Sequence, residues 1–411
     1  MKSHASFRAL SALLLLAFAA CGGDSQAPGQ STAPSETSGA TTPSTAGSTA
    51  ASAAAGSTGG KPATPTTRPA SDAPTKAGAG GTSTSAGAAG HAPSQSAAGS
   101  GDVVDIGAAG SGGSTQAAAG SGGAASAEEP PAVACNPADK TAEAEVIELS
   151  SVSDSGGALT ATKGPEMGLI EHDPAFADYT IYRPATLADG KKYPIVVWAN
   201  GGCGRDGLMF ARFLHEISSY GFVIVAWGAP NGTGMGPLTT NGEPQKAAID
   251  WIVAEAERPC SKYYRKLDTS KIAAMGQSCG GLMTMGVSGD KRLTTVVIWN
   301  SGMFERDQMI YMGLHTPIAY FIGGPEDVAY AQAEDDFAAI NTVPLFYGNA
   351  PVGHFATYAQ PNGGEFGRVG VGWLKWQLYG DESETGGKMF VGADCELCKN
   401  AMWTVQKKMM E

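Results

Sequence analysis

Ser278 stands between two glycines in the run Gly276-Gln277-Ser278-Cys279-Gly280-Gly281. A mostly apolar stretch, 271–275, precedes it, and a second, 282–285, follows. That order predicts a strand, a tight turn and a helix start with the serine at the tip, the nucleophile-elbow pattern G-x-S-x-G. The glycines have a mechanical reason. A turn this sharp crowds the chain two residues to either side, and glycine carries no Cβ to clash. The chemistry on offer is attack by the serine Oγ, with a helix N-terminus beneath the reacting centre. Such an attack needs a base to take the proton. The chain has six histidines: His4, His91, His172, His215, His315 and His354. It also has 57 glycines, so the pattern draws its weight from its context. Cys279 as the nucleophile would need glycine at 277 and 281, and Gln277 occupies the first of these, which favours Ser278.

The elements that must position these groups read as alternating strands and helices. Apolar runs at 179–183, 193–198, 222–227, 271–275, 294–299, 317–322 and 343–347 predict strands. Helical spacing is read at 208–220, 243–258, from 280 onward, at 328–340 and at 366–379. The run at 343–347 is read as the last strand and 366–379 as the closing helix. Apolar strands that do not alternate, separated by helices, predict a buried and mainly parallel sheet flanked by helices, an α/β class.

The chain divides by composition. Residues 1–21 carry Lys2 and Arg8, then a short apolar run ending at Cys21, as an export signal does. Its end is similar to a bacterial lipobox, which makes Cys21 the expected lipidation site. Lipid anchoring to the cell envelope and plain secretion are the two fates considered. Residues 22–130 are Ala, Gly, Ser, Thr and Pro with almost no large apolar side chain, a disordered linker by composition. Such a tether has an r.m.s. span of roughly 55 Å. Residues 131–411 form one catalytic-domain-sized unit. A net charge of −12 argues against nucleic acid or anionic lipid as a partner. Of seven cysteines, six remain once Cys21 is set aside. An even number in an exported domain predicts disulfides. Cys395 and Cys398 have the spacing of a zinc half-site, but no second pair completes it, so no metal is expected.

Several strings carry a resemblance: 179–184 (Tyr-Thr-Ile-Tyr-Arg-Pro), 196–204 (Val-Val-Trp-Ala-Asn-Gly-Gly-Cys-Gly), 276–281, 300–302 (Asn-Ser-Gly), 323–327 (Gly-Gly-Pro-Glu-Asp), 352–354 (Val-Gly-His) and 361–364 (Pro-Asn-Gly-Gly). Over residues 164–380 the chain resembles α/β-hydrolases. More narrowly it resembles secreted serine esterases akin to the chlorophyllase, cutinase and PET-hydrolase group. The resemblance implies the chain order serine, acid, histidine. His354 lies just after the last expected strand and is the base it implies; His315 reads as a surface residue. The acid follows the preceding strand, where Asp327 is favoured over Glu326. Asp335 and Asp336 read as a solvated helix face. Two backbone N–H groups bind the oxyanion: that of Cys279, and that of Gly202 or Cys203 in the loop after the third strand. In this fold the two donor loops face each other, which implies a Cys203–Cys279 disulfide locking the hole. Trp227, Met235, Trp299 and Met303 follow strand ends on the catalytic side and are candidate pocket residues.

The expectation is a cofactor-free serine hydrolase of carboxylic esters, acting on a small-molecule or polymeric ester. An acyltransferase with the same triad, and a non-catalytic surface binding module on a hydrolase fold, are the alternatives.

Overall fold

The computed structural model describes residues 131–154, 157–238 and 241–410. The expected signal segment, Cys21 and the linker lie outside the described residues.

Among the described residues twelve strands form in chain order: β1 (Glu145–Ile147), β2 (Ser153–Asp154), β3 (Gly157–Ala158), β4 (Gly168–His172), β5 (Tyr179–Pro184), β6 (Tyr193–Ala199), β7 (Val223–Trp227), β8 (Leu267–Gln277), β9 (Leu293–Trp299), β10 (Ile318–Ile322), β11 (Leu345–Asn349) and β12 (Thr404–Lys408). The helices are α1 (Ala211–Ser218), α2 (Glu243–Glu257), α3 (Cys279–Val287), α4 (Gln308–Gly313), α5 (Tyr330–Ala339), α6 (Gly364–Tyr379) and α7 (Glu396–Lys399). Ten strands make one sheet in the order β1-β4-β5-β7-β6-β8-β9-β10-β11-β12. The stretch from β7 through β11 is parallel throughout. Antiparallel strands finish both sides, β5, β4 and β1 at one and β12 at the other.

The unalternating apolar runs have a plain cause: both faces of the sheet are covered. Ile195, Val197, Val225, Ala274 and Ile298 point into a core shared with Ile249 and Ile252 of α2 and with Met283 of α3. Val196, Trp198, Ile224, Met275 and Val297 point the other way, against Phe213 and Ile217 of α1 and Trp373 of α6. Successive side chains on a strand alternate faces, so two buried faces demand an apolar residue at every position.

The helices begin and end where local chemistry dictates. Pro244 sits in the first turn of α2, where a missing N–H costs nothing. Gly380 closes α6 with φ 69°. α1 is shorter than the 208–220 expected, because an Asp206-centred turn occupies its N-terminal side. The Asp206 carboxylate accepts from the N–H of Leu208 (2.9 Å) and of Asn231 (3.0 Å).

The chain continues past the expected last strand and closing helix. β12 pairs with β11 and becomes the sheet edge. Its sequence, Thr-Val-Gln-Lys-Lys, has no apolar run to announce it, yet lysines suit an edge that must not recruit another strand. The Lys408 ammonium donates to the carbonyls of Phe337 and Ile340 and to Asn341 Oδ1, neutralising the C-terminal end of α5.

Among the described residues three cysteine pairs stand at bonding distance as disulfides: Cys135–Cys260, Cys203–Cys279 and Cys395–Cys398. Cys395 and Cys398 are therefore paired with each other and are not half of a zinc site. Among the described residues no helix is long and apolar enough to cross a membrane.

Candidate active site

β8 ends at Gln277 and α3 begins at Cys279, so Ser278 is the single residue between strand and helix. It holds φ 53° and ψ −117°, a strained backbone for a residue with a side chain. The surroundings impose that conformation. The Ser278 N–H donates to the carbonyl of Trp299 (3.0 Å). Its own carbonyl accepts from Gly281 N–H (2.9 Å) and from the Ser301 hydroxyl (2.7 Å). A Cβ at Gly276 would collide with the backbone of Gly280, and one at Gly280 with the backbone of Ala199. Both glycines of the pattern are thus required by packing.

The Ser278 hydroxyl lies 2.9 Å from His354 Nε2, and His354 Nδ1 lies 2.7 Å from Asp327 Oδ1. A Nδ1–H that donates to a carboxylate leaves the Nε2 lone pair facing the serine hydroxyl. Asp327 follows β10 in a turn and is buried. Its Oδ1 also accepts from Ala329 N–H (3.0 Å), and its Oδ2 accepts from Gly323 N–H (2.9 Å) and the Asn300 amide (2.7 Å). Burial pulls this carboxyl upward, but the His354 partner and the Ala329 and Asn300 donors outweigh it and hold it below the ordinary aspartate range. Glu326, the neighbour passed over, is exposed. His315 is exposed as well.

The loop after β6 faces the elbow because β6 and β8 are neighbours in the sheet. Gly202 and Cys203 both adopt left-handed backbone, with φ 59° and 52°. The buried Asn200 side chain shapes this loop. Its amide donates to the carbonyls of Gly204 (3.1 Å), Asp206 (2.9 Å) and Trp227 (2.9 Å), and its oxygen accepts from the Trp198 indole N–H (2.8 Å). The Cys203–Cys279 disulfide, with Cα atoms 5.3 Å apart, ties the loop to the first residue of α3. The N–H of Cys279 has no acceptor within its own helix, as for any first-turn residue.

Ser278, Asp327, His354, Gly202, Cys203 and Cys279 are therefore gathered at the carboxyl ends of adjacent parallel strands. Ligands gather in such crevices where the strand order reverses, here where β7 and β8 flank β6. The pocket residues fare less evenly. Trp227 and Met303 are buried in one cluster with Cys203 and Cys279. Met235 is 63% exposed on the surface beside Gly204, with which it forms an isolated bridge. Trp299 is fully buried in the core on the opposite face of the sheet from Trp227 and Met303. It has the parity of Val297 on β9, so its ring points to the other face and packs against Phe213, Phe321, Tyr358 and Phe366.

Asp336 also departs from expectation. It is fully buried, not solvated. It accepts from the hydroxyls of Tyr311 (2.6 Å) and Tyr320 (3.0 Å) and from Met303 N–H (2.9 Å). Burial pushes its carboxyl up to about 6. Asp335 is exposed and pairs with Arg306. Asn200, Gln277, Asn300 and Ser301 are the site residues that residue-type reasoning passed over. The one signal was position, since each ends a strand on the catalytic side or lies within two residues after one.

No protein-family model and no curated protein matches this chain.

Proposed function

We propose that this protein is a serine hydrolase of carboxylic esters, built on an α/β-hydrolase fold and working without a cofactor. The observation that carries the reading is the continuous hydrogen-bonded series Ser278–His354–Asp327, at 2.9 and 2.7 Å, set at a strained strand-to-helix turn. The chain order serine, aspartate, histidine and the mainly parallel sheet support the fold assignment.

In this mechanism His354 Nε2 takes the proton as Ser278 Oγ attacks the ester carbonyl. The N–H of Cys279 and that of Gly202 or Cys203 stabilise the oxyanion. Asp327 keeps Nδ1 protonated and stabilises the imidazolium. His354 then gives its proton to the departing alcohol. Water, deprotonated by the same nitrogen, cleaves the acyl-enzyme and restores Ser278. Disulfides persist in oxidising compartments, so the three pairs support an exported protein. Lipid attachment at Cys21 is proposed from sequence.

A panel of p-nitrophenyl esters, short to long acyl, tests the reading, with Ser278→Ala as control. Hydrolysis by the wild type, its loss in the variant and fluorophosphonate labelling mapped to Ser278 are expected. A wild type that neither turns over nor labels would overturn it. Product analysis with added alcohol separates transfer from hydrolysis.

A further inference from the structure

We infer that His354 is held for its task by two buried side-chain amides, those of Asn300 and Gln277, and that Tyr358 and Asn300 form a positioning chain behind Asp327. This rests on the hydrolase reading above.

His354 sits in a turn beyond β11, flanked by Gly353 at φ 74° and Ala356 at φ 44°. No strand or helix holds its main chain. A base must nevertheless stay within hydrogen-bond reach of its proton, and loops place side chains less well than regular elements. The structure supplies the missing restraint from the sheet. Gln277, the last residue of β8, donates its amide to the His354 carbonyl (3.1 Å). Asn300, the first residue after β9, donates its amide to the Gly353 carbonyl (3.3 Å). Two successive carbonyls of the histidine turn are thus tied to the ends of two adjacent strands.

Asn300 does more. It is 0% exposed, and its amide nitrogen also donates to Asp327 Oδ2 at 2.7 Å. Its amide oxygen accepts the Tyr358 hydroxyl at 2.6 Å. That bond sets which way the amide points. With its oxygen committed to Tyr358, the nitrogen must face Asp327. The Tyr358 ring is fixed in turn by edge-on contacts with Phe210, Phe213 and Phe366. Asparagine tolerates the left-handed backbone, φ 43°, that this position requires. It is also neutral. An ionised aspartate in its place would set a second negative charge against Asp327 and offer no donor. Tyr358, Asn300, Asp327, His354 and Ser278 therefore form one continuous series of hydrogen bonds that converges on Asp327 from both ends and is anchored at one end in the aromatic core.

The test is steady-state kinetics of the full chain on p-nitrophenyl butyrate for Asn300→Ala, Tyr358→Phe, the double variant and Gln277→Met. Asn300→Ala is expected to lower kcat ten- to a hundredfold, as about 1 Å of misplacement does, with KM within about twofold. Tyr358→Phe is expected to lose less, and to lose nothing further in the Asn300→Ala background, because it acts only through Asn300. The low-field proton resonance of the Asp327–His354 hydrogen bond should weaken or move in Asn300→Ala. Wild-type kcat with that resonance in place would overturn the inference. So would a Tyr358→Phe cost that is the same with and without Asn300. Should Asn300→Ala fail to fold by circular dichroism, Tyr358→Phe and Gln277→Met decide, since both keep their volume; unchanged kcat in both overturns the inference. A wild type that labels with fluorophosphonate while all variants match it sinks the positioning role alone. A wild type that neither labels nor hydrolyses removes the hydrolase reading and this inference with it.

Discussion

Asp327 shows how much of the candidate site depends on a single carboxylate. All four groups bound to it are N–H donors. Replacing it with asparagine turns one oxygen into a donor that meets another donor, and it removes the charge that selects the His354 tautomer. Asp327→Asn is expected to lower kcat on p-nitrophenyl esters about 10⁴-fold with the fold intact; a loss of less than tenfold would count against its role. The sign of its stability term follows from its depressed carboxyl. That term is present above the unfolded aspartate value and is lost as pH falls through the folded one. Ser278, Asp327 and His354 were legible because their residue types are rare among candidates and their order is constrained. Asn300 was not. An asparagine after a strand reads as a turn residue, and only the packed structure shows it touching Asp327, Gly353 and Tyr358.

The elements that matter most are β6, β8 and β9, whose carboxyl ends supply the loop at 200–204, the elbow and Asn300. The Cys203–Cys279 pair closes a loop of 76 residues between the first two. A loop of that length constrains the unfolded chain by about 4 kcal/mol on the chain-entropy model. Replacing both cysteines by alanine is expected to cost a comparable amount in urea unfolding and to lower kcat more than it raises KM, since Gly202 and Cys203 lose the tie that holds their left-handed backbone. A double variant with wild-type kcat would show that Asn200 alone suffices to shape the loop at 200–204. The parallel strands were legible because burial on both faces writes itself as an apolar run. β12 was not. An edge strand buries little, so its polar sequence looks like any loop, and its place beside β11 depends on pairing and on Lys408 reaching the end of α5.

Across the whole domain, the buried acid outside the proposed triad has a measurable consequence. Asp336 has its carboxyl raised to about 6, so the folded state holds a proton that the unfolded chain has released. Its contribution to stability is therefore full below about pH 4 and declines as pH rises toward about 6. The difference corresponds to about 2–3 kcal/mol. Guanidinium unfolding at several pH values should show this decline in the wild type and a flatter profile in Asp336→Asn. Equal slopes in the two would sink it. Sequence reading assigned Asp336 to a solvated face because it follows Asp335 on a helix. Adjacent helix residues point about 100° apart, so one faces Arg306 and water while the other enters the tyrosine-lined core.

What the sequence determined by itself was the alternation of elements, the elbow and the order of candidate groups, because each of these is written in local spacing. It also pointed, through its resemblance, to the Cys203–Cys279 pair. The tertiary structure decided what depends on strand order and side-chain direction. It buried Asp327 against His354 and left Glu326 exposed, sent Trp299 into the core, buried Asp336, and brought Asn300, Gln277 and Tyr358 around the histidine turn. Those relations join residues far apart in the chain, and no local pattern encodes a contact made only when β6, β8 and β9 lie side by side.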